Sequence, residues 1–342
     1  MSIPDGGPGV PEGLNRDTFP RFAEPHRREL KLHCYRMLGS LQDAEDVVQE
    51  TFVKAWNALD EFEGRAAFKN WLYRIATNAC LNALASRSRH GRFLPAQLGG
   101  PSAEMPRGKP DTDMPWLQPY PDFELESIAD NNAGPEHQYE TRETVRLAFM
   151  AAIQQLPPRQ RAALILADVV GWSTAEIASL LGGSTASVNS VLQRARETMR
   201  SSYRGDAGTV NPKEDVGQQA LLDRYLHAWE STDLDAFVNL LKEDATYSMP
   251  PWREWYQGRE AIRTFFGKAW KAYGGFRLLP VGANDQPAFA LYSRSREGGG
   301  WNAHSLQVLS ARDAHIAALT MFMKPLALTL FPAFRLPLSL ED

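Results

Sequence analysis

The chain has 342 residues, of which 43% are hydrophobic and 23% charged, a composition that is ordinary for a globular protein. This length predicts two or three domains. The sequence contains no run of about 18 consecutive apolar residues, which argues against a membrane-spanning helix, and its Gly- and Pro-rich start lacks the pattern of a secretory signal.

The two cysteines, Cys34 and Cys80, both lie in apolar helical patterns and are far apart in the sequence. A metal or redox motif would require closer partners, so we predict buried structural thiols. We therefore expect the chain to act in the cytoplasm, where thiols stay reduced. Neither a cofactor nor a metal ion is expected.

The net charge of −4 conceals a strong segregation of charge along the chain. Residues 43–63 contain seven acids and one base, whereas residues 64–92 contain six bases and no acid. Residues 93–140 contain nine acids and two bases, and residues 141–204 contain eight arginines and four acids. Two basic segments separated by an acidic one indicate two contacts with nucleic acid.

Helical periodicity and proline content divide the chain into seven segments. They are a disordered N-terminus at 1–15, a helical block at 16–90, a Pro-rich acidic linker at 91–136, a second helical block at 137–203, a linker at 204–215, an α+β domain at 216–335 and a tail at 336–342. The Pro-rich linker is expected to be mostly extended or disordered.

The α+β domain is predicted to begin with two amphipathic helices and a short strand, followed by another helix and four strands. The predicted helices are 216–231, 233–243 and 258–273, and the predicted strands are 245–249, 276–281, 288–293, 301–310 and 315–323.

Residues 43–56 predict an amphipathic helix with one apolar stripe. Acids crowd its N-terminal end, where the helix dipole favours them. The outward side is a mixed acidic face of Asp43, Glu45, Asp46, Gln49, Glu50 and Val53. Taken alone, this face fits either a solvated helix surface or a protein-binding surface.

Residues 62–82 interleave aromatic, basic and amide side chains. Cations that follow phosphates and aromatic rings that stack on bases are typical of binding sites for single-stranded nucleic acid. The candidates are Arg65, Lys69, Asn70, Trp71, Arg74, Asn78 and Asn82. For Trp71, Leu72 and Ile75 a place in the hydrophobic core is the favoured interpretation.

From His33 to Leu84 the sequence resembles the polymerase-binding and DNA-melting domain of the sigma-70 family, in its extracytoplasmic-function branch. The segment DAEDVVQETFVKAW (43–56) resembles the helix that binds the polymerase clamp, and FKNWLYRIATNACLNAL (68–84) resembles the promoter-melting and −10 recognition segment. The resemblance implies that the acidic face binds core polymerase and that the candidates in 62–82 contact the −10 element. Asn82 stands where the branch usually has Asp, so no carboxylate role is carried over.

The second helical block contains a helix-turn-helix pattern. Ser173 and Glu176 form a capping box, Gly182 and Gly183 form a tight turn, and Ser184 caps a longer helix. The side chains of this helix that are predicted to face solvent or the major groove are Thr185, Ser187, Asn189, Ser190, Gln193, Arg194 and Arg196. The preceding segment, LPPRQRAALIL, resembles the start of the −35-binding domain of the same family, which implies that these residues contact the −35 element.

Residues 218–335 resemble a SnoaL-like domain of the nuclear-transport-factor-2-like superfamily, through LLDRYLHAWESTDLDAFVNLLKEDATYSMPP and YQGREAIRTFF. The resemblance implies a cone-shaped α+β barrel that encloses an apolar pocket. Residues of types that suit such a pocket are Tyr247, Met249, Trp252, Trp255, Phe265, Trp270, Asn302, His304 and Met323. The same residue types fit a filled hydrophobic core.

We therefore predict a multidomain protein with two all-α domains and a C-terminal α+β barrel. It is expected to be a sigma factor rather than an enzyme, with core RNA polymerase and promoter DNA as partners and with its activity modulated by the C-terminal domain, whose pocket can bind a small-molecule ligand. One alternative is a fused SnoaL-type cyclase or hydrolase, which needs an acid–base pair in the pocket that the sequence does not reveal. The other is a ligand-sensing DNA-binding repressor, which leaves the acidic helix at 43–56 unexplained.

Overall fold

The computed structural model describes residues 9–86, 91–129, 142–203, 212–297 and 299–341. The chain divides into two compact units, which do not follow the order of the sequence. The first unit combines Met1–Arg92 with Glu124–Arg204, and the second combines Phe93–Phe123 with Gly205–Asp342. In the ranges that the structure describes, no helix is both long and apolar enough to cross a bilayer.

The N-terminal block of the first unit is helical, as predicted. Its α-helices are α1 (Phe19–Ala23), α2 (Arg27–Leu38), α3 (Leu41–Asn57) and α4 (Phe68–Ala85). Gly39 ends α2 with a left-handed φ of 67°, and the Ser40 side chain caps α3 by accepting a hydrogen bond from the Asp43 amide at 3.3 Å. Cys34 and Cys80 are fully buried free thiols, which confirms the prediction for both.

The rest of the first unit is also helical. It contains α5 (Asp122–Ala129) from Glu124 onward, α6 (Leu147–Ile153), α7 (Pro158–Asp168), α8 (Thr174–Leu181) and α9 (Thr185–Ser202). Both predicted caps are present. Ser173 and Glu176 form the capping box of α8, and Ser184 with Ser187 forms that of α9. The expected start of this block at 137–141 lies outside the described residues.

The second unit is a curved sheet with helices against it. The helices are α10 (Pro212–Glu230), α11 (Leu234–Asn239), α12 (Arg259–Ala269) and α13 (Leu326–Ala333), and the strands are β1 (Leu241–Ser248), β2 (Trp255–Gln257), β3 (Tyr273–Ala283), β4 (Gln286–Ser295), β5 (Trp301–Arg312), β6 (His315–Met323) and β7 (Ser339–Leu340). The strand order is β2-β1-β6-β5-β4-β3, with β7 on β5. Only the β1–β6 pair among these described strands is parallel.

Two predicted boundaries in this unit are wrong. The helix expected at 233–243 ends at Asn239, and strand β1 begins at Leu241 instead of residue 245. Leu241, Ala245 and Tyr247 are buried in the core, whereas Glu243 and Asp244 are exposed, and the pairing of β1 with β6 shifts register between Leu241 and Thr246. The tail expected at 336–342 includes β7, which pairs with β5 through Trp301 and Asn302.

The Pro-rich linker is the largest departure from expectation, because residues 93–123 pack on the C-terminal domain. The Tyr120 amide donates to Asn284 Oδ1, and the Asn284 amide donates to the Tyr120 carbonyl, each at 2.8 Å. Trp116, Leu117 and Tyr120 are at most 2% exposed. The prolines keep this segment extended, and its other backbone and aromatic groups find partners on the domain. Residues 130–136 of the expected linker lie outside the described residues.

The two other segments predicted to be irregular are only partly described. Residues 9–15 of the N-terminus are ordered, since the Thr18 hydroxyl donates to the Gly13 carbonyl at 2.6 Å and the Leu14 amide donates to the Pro11 carbonyl at 3.1 Å. Residues 1–8 lie outside the description, as do residues 204–211 of the second linker. Helix α10 already includes Pro212.

Candidate functional site

The outward face of α3 is narrower than the sequence predicts. Asp46, Gln49, Glu50 and Val53 are exposed, and their spacing of three and four residues places them on one side of the helix. The remaining two candidates, Asp43 and Glu45, are half-buried and form ion pairs with distant residues, and their role in polymerase binding stays a prediction. Asp43 forms an ion pair with Arg92, and Glu45 bridges Lys31 at 3.2 Å and Arg27 at 3.3 Å.

Trp56 extends the exposed face of α3, and the sequence reasoning missed it. Its indole is 40% exposed, next to Val53, which is 61% exposed. It follows Gln49 and Val53 at helical spacing, a signal that was available in the sequence. The Arg16 guanidinium lies over the ring, 4.9 Å from its centroid. The face therefore combines acidic, amide and apolar side chains, and we call Asp46, Gln49, Glu50, Val53 and Trp56 the α3 face.

Four predicted residues of α4 form a continuous row. Asn70, Arg74, Asn78 and Asn82 are spaced by four residues, so they follow one another along one side of the helix. Asn78 and Asn82 are exposed, and Asn70 and Arg74 are half-buried. We call these four residues the α4 row. Amide groups can donate to and accept from base edges, and the arginine can contact phosphate.

The other three candidates near α4 have different environments. Trp71 is half-buried, with its ring centroid 4.8 Å from that of Phe62 and 5.7 Å from that of Phe68. Lys69 forms an ion pair with Glu29 at 2.6 Å. Arg65 is 84% exposed and pairs with Glu63. Leu72 is fully buried, in agreement with the core interpretation, but Ile75 is only half-buried.

The helix-turn-helix consists of α8 and α9 joined by Gly182–Ser184. Gly182 has a φ of 68°, a conformation that glycine adopts without strain. A Cβ atom on Gly183 would lie 2.8 Å from Ser187 Oγ, so a side chain there would disturb the cap of α9. Ala178 and Val188 are buried where the two helices meet, as the spacing predicts.

All seven predicted residues of α9 are exposed, but they are not equally available. Ser187 serves the cap of its own helix, and Ser190 Oγ donates to the Ala186 carbonyl at 3.1 Å. Arg196 forms an ion pair with Asp168 at 2.5 Å, so the negative carboxylate partly offsets the attraction of the guanidinium for DNA phosphates. The four other side chains have no hydrogen bond or ion pair with any described residue, and they are Thr185, Asn189, Gln193 and Arg194.

Helix α4 and the helix-turn-helix are neighbours within the first unit. Arg74 Nη1 and Nη2 each lie 3.4 Å from Ser179 Oγ, on helix α8. The α4 row therefore adjoins the helix-turn-helix domain in this arrangement.

The pocket candidates of the second unit separate into three groups. Tyr247, Met249, Phe265 and Trp270 are at most 7% exposed and belong to the hydrophobic core of the domain. Trp252, Trp255 and Met323 are half-buried, with Trp252 and Met323 packed against that core. Asn302 is exposed and donates to the Gly300 carbonyl at 3.0 Å. Asn302 is not part of the hydrophobic core, and its assignment to a pocket stays a prediction.

His304 has a polar partner that the sequence did not reveal. Its Nε2 lies 3.0 Å from the Tyr273 hydroxyl, and its Nδ1 lies 3.2 Å from Ser305 Oγ. Burial, together with the charge of Lys324, lowers the pKa of His304 to about 4. Burial also raises the pKa of Tyr273. Both groups are therefore neutral near pH 7, and they can exchange hydrogen bonds without carrying charge.

Among the described residues, no group of three or more His, Cys, Asp or Glu side chains could hold a metal ion.

The two helical blocks with their helix-turn-helix, followed by a helix-covered curved sheet, define a multidomain DNA-binding protein. Three family models match in the corresponding order: sigma-70 region 2 at residues 22–90, sigma-70 region 4 at 146–199 and a SnoaL-like domain at 222–319.

Two bacterial sigma factors are similar to this chain in sequence. The chain is 44% identical over 335 residues to the ECF RNA polymerase sigma factor SigG of Mycobacterium tuberculosis, covering 96% of this chain and 87% of the relative. It is 26% identical over 194 residues to the ECF RNA polymerase sigma factor SigW of Bacillus subtilis, covering 56% of this chain and 91% of the relative. The chain belongs to the extracytoplasmic-function sigma factors of the sigma-70 family, with a SnoaL-like domain fused at its C-terminus.

The fold is shared with a solved structure. The crystal structure of the Mycobacterium tuberculosis extracytoplasmic function sigma factor SigJ matches with a TM-score of 0.60 and 21% identity. The match covers 93% of this chain and 99% of the other chain. This match supports the arrangement of helical domains followed by an α+β sheet domain.

Proposed function

We propose that three exposed surfaces divide the steps of initiation among them. The α3 face binds core RNA polymerase, the α4 row contacts the −10 element and assists strand opening, and α9 reads the −35 element through Thr185, Asn189, Gln193 and Arg194. The observation that carries this proposal is that the side chains of the α3 face and the four named side chains of α9 are exposed, and that those of the α4 row are exposed or half-buried.

We further propose that the packed first unit is a resting form. Elements at −10 and −35 are about 25 base pairs apart, which is roughly 85 Å at 3.4 Å per base pair. In the first unit, a residue of the α4 row lies within 3.4 Å of helix α8 of the helix-turn-helix. Both surfaces cannot reach their elements on one promoter from this arrangement, so regions 2 and 4 have to separate.

The C-terminal domain is proposed to modulate this activity, and a ligand in its core would act by binding one conformation better than another. Membership of the sigma-factor family makes the chain a transcription factor. The SnoaL-like fold also occurs in enzymes, but a shared fold does not transfer an activity. His304 and Tyr273 are the pair to which an enzymatic role would have to be assigned, and both are neutral near pH 7.

Reversible crosslinking tests the resting form in the full chain. Cysteines replace Arg74 and Ser179 and are joined with a thiol-reactive linker that contains a cleavable disulfide. The native Cys34 and Cys80 are fully buried, so they are protected from the reagent. Run-off transcription with purified core polymerase should be lost in the crosslinked double variant. After cleavage of the linker it should return to the level of the uncrosslinked double variant, which itself lacks the proposed −10 contact of Arg74.

The two single-cysteine variants, treated in the same way, are the matched controls, because they carry the reagent without the crosslink. Equal transcription before and after cleavage would contradict the need for separation. If the uncrosslinked full chain, with its native residues, fails to direct transcription from any genomic fragment, the assignment of the three surfaces is itself wrong.

A further inference from the structure

Part of the linker forms a strap across one end of the C-terminal domain. We call residues 99–111 the strap. Trp255 Nε1 donates to the Gly99 carbonyl at 2.8 Å, and the Ser102 amide donates to the Trp255 carbonyl at 2.7 Å. The Asp111 amide donates to the Pro251 carbonyl at 2.8 Å, and the Asp111 carboxylate accepts from Arg253 Nε at 2.6 Å. The strap is therefore held at one end by Trp255, the first residue of β2, and at the other end by Pro251 and Arg253, which lie between β1 and β2.

The middle of the strap directs a single large apolar side chain inward. Met105 is half-buried and packs against the hydrophobic core of the domain, whereas its neighbours Ala103, Glu104 and Arg107 are exposed. The Tyr256 hydroxyl donates to the Glu104 carbonyl at 2.8 Å and so fixes the backbone beside Met105. The ring of Tyr256 belongs to the same core.

This end of the domain is where the core reaches the surface. Strands β1 and β6 end here, and the Met323 amide donates to the Pro250 carbonyl at 2.7 Å. Strand β5 passes Met323 in register at Ser305, so His304 lies at the same end, with Tyr273 beside it. The half-buried Met105, Trp252 and Met323 pack against the core in this part of the molecule.

We propose that this end of the C-terminal domain is a binding site for a flexible, unbranched apolar chain that bears a carboxylate, and that Met105 of the strap occupies the apolar part of the site in its absence. The proposal rests on the modulating role assigned above to this domain. Methionine is unbranched and flexible, and its side chain is a close mimic of a short alkyl chain. Met249 and Met323 can adapt to such a chain in the same way.

The carboxylate is inferred from the groups at the rim. Lys324 is exposed, immediately follows Met323, and is close enough to His304 for its charge to contribute to the lowered pKa of the imidazole. Among the described residues, Lys324 has neither a hydrogen bond nor an ion pair. The Tyr273 hydroxyl, which is hydrogen-bonded to His304 Nε2, is a second polar group beside this site.

Binding at this site would couple ligand occupancy to the connection between the sigma regions. The strap lies within residues 93–123, which join the two helical blocks in the sequence. A ligand that displaces Met105 competes with the strap, and the release of the strap lengthens the free connection. The domain thus gains a route by which a small molecule changes the reach between regions 2 and 4.

Titration calorimetry with decanoate, decanol and decyltrimethylammonium tests the site in the full chain. Decanoate should bind best, and the Lys324→Ala variant should remove its advantage over decanol. The Met105→Ala variant should bind decanoate about ten-fold more tightly, equivalent to about 1.4 kcal/mol, because the internal competitor is gone. The Arg107→Ala variant, which changes an exposed strap residue, should bind as the unaltered chain does.

Hydrogen exchange reports on the strap independently of transcription. Decanoate should accelerate exchange at the amides of Ser102 and Asp111, which are hydrogen-bonded in the strapped form. Binding of decanoate without this acceleration would overturn the competition, and equal affinities of the three probes would overturn the carboxylate preference. If Met105→Ala fails to fold, Ser102→Pro removes the amide donor to Trp255 and should loosen the strap in its place. A failure of these binding tests leaves the transcription result unaffected, so the two proposals fail separately.

Discussion

Arg161 Nη1 donates a hydrogen bond to the carbonyl oxygen of Met37 at 2.5 Å, and this contact joins helix α7 to the end of helix α2. The same guanidinium donates to Gln154 Oε1 and to the Gln154 carbonyl, each at 2.7 Å, and to the Leu156 carbonyl at 3.0 Å. Arg161 is fully buried, and burial lowers its pKa to about 9, so it remains a cation near pH 7. The carbonyl end of α2 carries partial negative charge, which favours a cation there.

Replacing Arg161 with Met should weaken the packing between regions 2 and 4. The carbonyls of Met37, Gln154 and Leu156 would lose a buried donor, and we expect the free energy of unfolding of the first unit to fall by about 2–4 kcal/mol. Urea unfolding followed by hydrogen exchange at amides of α2 and α7 measures this change. Arg200→Met, at an exposed position of α9, is the control, and an Arg161→Met protein as stable as this control would contradict the role of the contact.

Reversing two charges of the α3 face should weaken binding to core polymerase. The Asp46→Lys/Glu50→Lys variant is expected to lose about 2–5 kcal/mol of binding free energy if the contacts are desolvated, because truncating or reversing buried interface charges has effects of this size. Fluorescence anisotropy with purified core polymerase measures the affinity. The control is Glu260→Lys, which reverses an acid that is 89% exposed in the C-terminal domain. Unchanged affinity with α3 still folded would exclude the face.

Arg194 is an exposed arginine near the middle of α9, next to the predicted base-contacting side chains, and it has no ion-pair partner among the described residues. It is therefore the side chain with which we test base reading. If it contacts a guanine, Arg194→Ala should lose about 1–3 kcal/mol and relax the preference at one position of the −35 element. If it contacts phosphate alone, affinity should fall equally on all sequences and the salt slope should decrease by about one. Binding measured on matched and mutated DNA at several salt concentrations separates the two roles. Arg107→Ala is the control. If Arg194→Ala has the same DNA affinity and the same salt dependence as this control, Arg194 does not contact DNA.

Local features of the helices could be predicted from the sequence because short-range chemistry determines them. The capping residues Ser173 and Ser184 bond to groups three residues away, and Val188, Leu192 and Ala195 are buried as their helical spacing predicts. The acidic face of α3 was only partly predictable. Ion pairs with residues that are distant in the sequence determine which of its acids are unpaired. Arg92, for example, pairs with Asp43 although the two are 49 residues apart.

The same distance effect explains what was missed in the second unit. Tyr120 and Asn284 are 164 residues apart, and their two hydrogen bonds replace solvent for a segment that otherwise has the composition of a disordered linker. His304 and Tyr273 are 31 residues apart and meet because strands β3, β4 and β5 lie side by side. Sequence spacing alone identifies neither pair, because the first depends on how the linker packs on the domain and the second on the order and register of the strands.

Acid should destabilise the N-terminal block through His33. Burial lowers the pKa of this imidazole to about 3, and its Nε2 lies 2.9 Å from Thr77 Oγ1. Below a pH of about 6.5, the unfolded chain binds a proton that the folded chain does not, so the free energy of unfolding falls as the pH decreases towards 3. At pH 5 the loss from this residue is about 2 kcal/mol.

Urea unfolding at pH 7 and pH 5, followed through amides of α2 and α4, measures the dependence on pH. His33→Gln should remove this contribution to the pH dependence of the free energy of unfolding, whatever the stability of the variant at pH 7. His315→Gln, at an exposed position, should leave the pH dependence unchanged. Identical slopes in the unaltered chain and in His33→Gln would show that another group titrates in this range.

Removing the C-terminal domain should expose the linker that packs on it. A chain that ends at Arg204 keeps Trp116, Leu117 and Tyr120 but loses the surface that buries them to 2% exposure or less. Exposed apolar clusters promote association, so this truncated protein should self-associate and bind a hydrophobic dye more strongly than the full chain does. Light scattering and dye fluorescence measure the two effects. The matched variant is the same truncation with serine at all three positions, which should restore a monomer with low dye binding. If both truncated proteins are monomeric and bind little dye, the packing of the linker contributes nothing to solubility. A difference in transcription between the full and the truncated chain can then be assigned to the loss of the domain itself.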